Sequence, residues 1–324
     1  MNQGDPTLTK TEQRAQNALV RGDWQAAAQL LRKAATMAEA RHDPRRAVHC
    51  EQMAAALFRA AGSLDEALAA AQRIAQRDPT SPQARFAAQA ETAEALMAAG
   101  DHAKAAAAWR VALLEAETLR LPAWACATVM RRLAAALAYS HAQDDAWAML
   151  DAAAELQRGT QQEADAAWID VEQAQLAQSV GNIERARLAV HRPRVQLAAA
   201  TDPALRAECW RTVAECALAE GDYNLARIEA QRARDAALTA IAPVTYFGAT
   251  VALARAAETQ GDRATCYRTL ATAWVTLADL LGEPVAQTWV EPVLQAYRLA
   301  WGPAAFDAVR AEHDRVRRAA RRGA

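Results

Sequence analysis

One short turn recurs through this sequence at an almost constant interval. It is first met as Gly22-Asp23-Trp24 and returns at Gly62-Ser63-Leu64, Gly100-Asp101-His102, Gly181-Asn182-Ile183, Gly221-Asp222-Tyr223 and Gly261-Asp262-Arg263, with a degenerate copy in which His141 takes the glycine place. Successive copies lie 40, 38, 41, 40, 40 and 40 residues apart. A fixed period of this length is the mark of a repeat protein, in which each unit buries its apolar face against the next.

The flanks of the turn say what each unit is. Seven residues before the turn position stands an alanine every time: Ala15, Ala55, Ala93, Ala134, Ala174, Ala214 and Ala254. Five residues after it stand Ala27, Ala67, Ala105, Ala146, Ala186, Ala226 and Cys266. Helices approach closely only where side chains are small, so a small residue on each arm marks the crossing of two antiparallel helices. The glycine ends the first helix in a left-handed conformation, which His141 tolerates better than most residues. The Asp, Ser or Asn that follows caps the second helix.

Prolines set the other end of the register. Pro44, Pro82, Pro122, Pro203, Pro243 and Pro284 precede successive turns by 18 or 19 residues, and Asp43, Ser81 and Asp202 stand just before three of them. Asp or Ser as cap with Pro in the first helical position is a helix start. The reading is an all-α chain of about eight antiparallel hairpins in one domain, 1–324. The hairpins fall at about 6–41, 43–80, 81–119, 121–158, 161–200, 202–241 and 243–282, after a tail at 1–5. A looser eighth, 284–324, turns at Trp301-Gly302-Pro303, with Ala296 and Ala308 near the crossing and a basic end (Arg315, Arg317, Arg318, Arg321, Arg322). Cations there complement the helix dipole of a terminal cap or dock on an acidic partner. Trp24, Leu31, Phe58, Ile74, Phe86, Trp109, Trp124, Met130, Leu137 and Trp147 are the large core groups expected in the first four hairpins. Pro193 falls inside the second helix of the fifth, where it removes a hydrogen bond at a cost of about 3 kcal/mol. That helix either stops near His191 or bends, as a local irregularity or as a hinge or docking ledge.

The pattern resembles the tetratricopeptide repeat (TPR) family in a long-unit form. The match is fullest in the second unit (Gly62, Ala67, Ile74, Pro79) and the sixth (Trp210, Ala214, Gly221, Tyr223, Ala226, Ala233). The chain departs from it at the aromatic start of most first helices and at the closing proline of most units. The resemblance implies a TPR-like α-solenoid, a right-handed superhelix, whose first helices line a concave groove. It also implies that side chains 13, 10, 6 and 3 residues before the turn point into that groove. Carried onto this sequence, those places are His49, Gln52 and Arg59; Glu94 and Met97; Thr128 and Arg131; Trp168, Gln175 and Gln178; Glu208, Arg211 and Glu215; and Arg255 and Glu258. The alternative for each is a plain solvated face. Some family members bind a C-terminal carboxylate through Lys and Asn in the groove, a set the corresponding places here lack. A mixed-sign groove with Trp168 beside arginines suits a protein or peptide segment of mixed charge.

Composition narrows the classes that remain. A formal charge of −1 gives no long-range pull on nucleic acid or an anionic membrane. Met1–Thr11 lacks a signal-peptide apolar core, and no stretch approaches the ~20 apolar residues that cross a bilayer. Cys50, Cys126, Cys209, Cys216 and Cys266 are scattered within helices, as buried free thiols of a cytoplasmic protein are. No phosphate-binding loop, dinucleotide fingerprint, zinc-binding pair or calcium loop is present, so neither cofactor nor metal is expected. No nucleophile has a base and an orienting group in a recognisable pattern, so no catalysis is expected. The leading reading is a non-catalytic scaffold or adaptor binding another protein in its groove. The other is a regulatory sensor, because long-unit repeats resemble ligand-sensing arms of bacterial transcription regulators and peptide receptors that sequester response regulators. Leu281–Val316 is similar to the last repeats of large ATP-dependent activators, although the ATPase motifs and a DNA-reading module are missing.

Overall fold

The computed structural model describes residues 6–158, 163–196 and 202–323, with side chains over 7–158, 166–191 and 202–319. Its helices pair into eight hairpins: α1 (Pro6–Val20) with α2 (Trp24–Glu39), α3 (Pro44–Ala60) with α4 (Leu64–Arg77), α5 (Pro82–Ala98) with α6 (His102–Thr118), and α7 (Ala123–Tyr139) with α8 (Gln143–Gln157). There follow α9 (Glu163–Ser179) with α10 (Ile183–Gln196), α11 (Pro203–Glu220) with α12 (Tyr223–Thr239), α13 (Pro243–Thr259) with α14 (Arg263–Leu281), and α15 (Glu283–Trp301) with α16 (Pro303–Gly323). The chain divides into two compact units, Met1–Ala166 and Ala167–Ala324. Within a unit each hairpin packs on the next, and first helices also touch directly, α3 on α5 and α11 on α13.

The repeating turn is built as its residues dictate. The six turn glycines have φ between 75° and 82°, and His141 takes 64°. The amide after each turn position reaches back to close the preceding helix, as in Asp23 N to Ala18 O at 3.0 Å and Ala142 N to Leu137 O at 2.9 Å. Asp23, Asp101, Asn182, Asp222 and Asp262 then cap the second helix through their side chains. Ser63 does not cap; its hydroxyl donates instead to Gln25 Oε1 of the preceding hairpin at 3.0 Å. Asp43, Ser81 and Asp202 cap the proline-started first helices. All fourteen small crossing residues are buried, none above 1 % exposed.

Three connectors between hairpins repeat the same closing bond without glycine. His42, Arg120 and Ile241 stand there with φ of 59°, 51° and 52°. Asp43 N, Leu121 N and Ala242 N bond back to Ala38 O, Ala116 O and Ala237 O. The left-handed region costs an L-residue roughly 1–2 kcal/mol, most for a β-branched side chain such as Ile241.

Four expectations need correction. Trp24 and Trp124 are exposed (47 % and 53 %), because each stands in the first turn of its helix, clear of the crossing, while Leu31, Phe58, Ile74, Trp109, Leu137 and Trp147 are buried as expected. In the last hairpin Ala296 and Ala308 are exposed, and large rings do the packing instead. There Tyr267 meets Phe306 edge-on at 5.5 Å, and Trp301 lies 5.8 Å from Phe306 and 5.2 Å from Tyr297. Of the two courses open at Pro193, α10 does not stop near His191 but runs on to Gln196 with Pro193 inside it. Of the basic end, Arg315, Arg317 and Arg318 are exposed on α16; Arg321 and Arg322 lie outside the residues whose side chains are described.

Candidate functional site

Each first helix carries its candidate side chains on one edge because residues three and four apart share a helical face. In the first unit, His49 and Thr128 are exposed, and Gln52, Arg59, Glu94, Met97 and Arg131 are partly buried. Several are spent on neighbouring hairpins. Arg59 is paired with Glu91 of α5, and Glu94 lies 3.5 Å from Arg132 Nε of α7. Thr128 returns its hydroxyl to Trp124 O of its own helix at 2.8 Å. Burial pushes the Glu91 carboxyl above its ordinary value, with Arg59 opposing.

His49 belongs to a concavity. A pocket of about 340 Å³ opens between α1 and α3, lined by Glu12, Gln16, Leu19, Arg46, His49 and Met53 among others. Arg46 grips Glu12 at one side, Nε to Oε1 at 2.9 Å and Nη2 to Oε2 at 2.5 Å. The Arg46 hydrogen bond holds the Glu12 carboxyl below its ordinary value. Met53 is 37 % exposed beside it. Glu12, Gln16 and Leu19 stand 10, 6 and 3 residues before Gly22, the same register as the other candidates. The signal was therefore in the sequence, one hairpin earlier than the places assigned from it.

The second unit uses the same register differently. Gln175 Nε2 donates to Glu208 Oε2 at 3.0 Å, and Gln178 Nε2 donates to Thr212 O at 2.9 Å and approaches Cys216 Sγ at 3.1 Å. Arg211 donates to Glu208 Oε2 through Nε and Nη2 (3.0 and 2.7 Å) and is also paired with Glu215. Thr245 of α13 donates to Glu208 Oε1 at 2.5 Å. Burial alone would lower the Arg211 pKa, but Glu215 and Glu208 hold it above its ordinary value. Gly248 lies against this cluster, where a Cβ would come within 3.0 Å of Arg211 Cδ. Gln175, Glu208, Arg211 and Glu215 thus form one network, whereas Arg255 is exposed and Glu258 half-buried. Trp168 is half-buried, and its indole N–H donates to the capping Asp202 at 3.4 Å.

The arrangement offers hydrogen bonds and charge but little reactivity. All five cysteines are free and buried, with burial pushing Cys50 up to about 11 and Cys266 up to about 12, so these thiols stay protonated at neutral pH. Among the described residues no group of three or more His, Cys, Asp or Glu is placed to hold a metal ion. No helix among them is long and apolar enough to cross a membrane.

No protein-family model matches the sequence, and no curated protein does. Solved structures do match in shape. The apo form of RapI superposes with a TM-score of 0.62 at 10% identity over 98% of this chain and 99% of that one. The tetratricopeptide repeat protein from Parabacteroides merdae ATCC 43184 gives 0.56 at 13% identity, over 89% of this chain and 98% of that one. The fold is a TPR-like α-solenoid. A further TPR-like likeness is to the apo form of the quorum sensor NprR from B. thuringiensis, with a TM-score of 0.59 at 11% identity over 90% of this chain and 82% of that one. Identities this low establish the fold alone.

Proposed function

We propose that this TPR-like chain is a non-catalytic scaffold that holds a segment of another protein or peptide against its first helices. The observation that carries it is the α1–α3 pocket, where the register implied for partner contacts encloses open space beside an exposed methionine and an imidazole. Methionine supplies adaptable apolar contact, and a flanking ion pair favours a segment of mixed polarity. The buried, protonated thiols suit a reducing, cytoplasmic setting. The elevated values of the Cys50 and Cys266 thiols support a binding role over a chemical one.

A second reading has its own support. NprR is described as a quorum sensor and was solved with its cognate peptide NprX, so a peptide-responsive regulatory arm is the alternative role for this chain. Affinity capture with the wild type and with a His49→Asp, Met53→Asp variant tests both. A stoichiometric protein lost only by the variant supports the scaffold. A peptide that raises the melting temperature, without a stable protein partner, supports the sensor. A partner retained equally by the variant overturns the pocket assignment.

A further inference from the structure

Several arginines in this chain are matched to carboxylates of an adjacent helix: Arg32 with Glu66, Arg46 with Glu12, Arg73 and Arg77 with the buried Glu51, and Arg85 with Glu115. One place in the second unit gathers three arginines that are not matched in this way. A cleft of about 600 Å³ runs between the second helices α12 and α14, lined by Arg227 and Arg234 of α12 and Arg268 of α14, with Ile228 and Leu253 supplying apolar surface. No carboxylate lines it. None of the three arginines forms an ion pair within 4.0 Å among the described residues.

The three are nonetheless positioned. Arg234 donates to Tyr246 Oη at 3.1 Å and to Gln231 Oε1 at 3.2 Å, and lies over the Tyr246 ring at 5.3 Å. Its buried Nε has no acceptor. Arg268 is tethered by Thr265 Oγ1 at 3.0 Å. Asp262 is a nearby acid, held below its ordinary value first by the Thr265 backbone N–H and also by Arg268 and Arg227. Asp262 also caps α14, and its single charge is outnumbered by the three arginines that line the cleft.

We propose that this cleft, on the opposite arm of the hairpins from the α1–α3 pocket, is a second binding site for an acidic, apolar peptide segment. Arg227 and Arg234 are separated by seven residues, about 10 Å along a helix. They fit two carboxylates two helical turns apart, with a leucine-type side chain between them on Ile228, which is 50 % exposed, and Leu253. Such a segment is a helix laid in a groove, with apolar anchors and charged flanks.

The test is fluorescence anisotropy with a labelled helical peptide carrying glutamates two turns apart and leucines between them. Binding is expected to fall with added salt and to weaken about tenfold or more in an Arg227→Glu, Arg268→Glu variant. Arg227→Gln, Arg268→Gln serves if the reversed variant fails to melt cooperatively. The His49→Asp, Met53→Asp variant should bind this peptide unchanged, so failure here is separable from failure of the α1–α3 pocket. Equal affinity for a lysine-substituted peptide, no effect of either arginine variant, no binding at millimolar protein, or displacement by inorganic pyrophosphate at the peptide's own concentration would each overturn the proposal.

Discussion

The two compact units carry the same register of first-helix side chains and use it in opposite ways. In the first, the charges at these register positions are matched singly between hairpins (Glu12 with Arg46, Arg59 with Glu91, Glu94 with Arg132), and His49 and Met53 are left beside open space. In the second, Gln175, Thr245 and Arg211 converge on Glu208, with Glu215 closing the far side of Arg211. Pairwise matching leaves room between side chains, whereas a shared hub consumes its donors and acceptors internally. A solenoid surface therefore cannot be read as available for binding from position alone. What matters is whether the neighbouring repeat has already claimed the side chain.

The largest expected effect tests what the units share. Ala134→Leu in the first and Ala214→Leu in the second each overpack a closed crossing and should cost about 1–3 kcal/mol in denaturant unfolding. A neutral result in either unit would separate their frameworks. Next comes the difference itself. Arg211→Ala strands two poorly exposed carboxylates and should lower stability by about 2 kcal/mol, while Arg59→Ala strands one and should cost about half as much. Equal losses would mean that the hub adds nothing to its separate pairs.

The connectors supply a smaller contrast. Ile241→Gly relieves a β-branched residue in the left-handed region and should raise stability by about 1 kcal/mol; Arg120→Gly should give less. A fall in the melting temperature for Ile241→Gly would contradict the strain. The smallest effect is acid-dependent. The folded pKa of Glu12 is lowered, so its contribution is complete above the ordinary 4.5 and is lost as pH falls through the folded value. Glu91 is raised, so its ionisation opposes folding and stability recovers as pH falls through its folded value. Glu12→Gln should flatten the acid limb and Glu91→Gln steepen it, each by a few tenths of a kcal/mol, roughly. Slopes changing in the same direction would refute the assignment.

Much of this fold is legible in the sequence because its determinants are local and periodic. Turn glycines, caps and alanines lie within a few residues of one another, so one register places all seven regular hairpins. The last hairpin escaped because it packs through Trp301 and Phe306, the latter against Tyr267 of α14, and a rule that looks for small residues points to Ala296 and Ala308 instead. The site was less legible. Arg46 and Glu12 are 34 residues apart, Arg59 and Glu91 are 32 apart, and Gln175 and Glu208 are 33 apart, so each bond spans nearly one whole repeat. Nothing in the spacing separates such a pair from two solvated charges. The unpaired arginines of the α12–α14 cleft were illegible for the same reason, since lacking a partner is a property of the fold.

The uniform alanine crossings have a consequence for how such a chain can change. Since each of seven hairpins closes through the same pair of small residues, every one of them keeps its own crossing when a neighbour is deleted or duplicated. The aromatic closing hairpin is not interchangeable in this way. Moved inward, Phe306 would lose Tyr267 of α14 as its partner, so growth or shortening of this array is confined to the hairpins before α13.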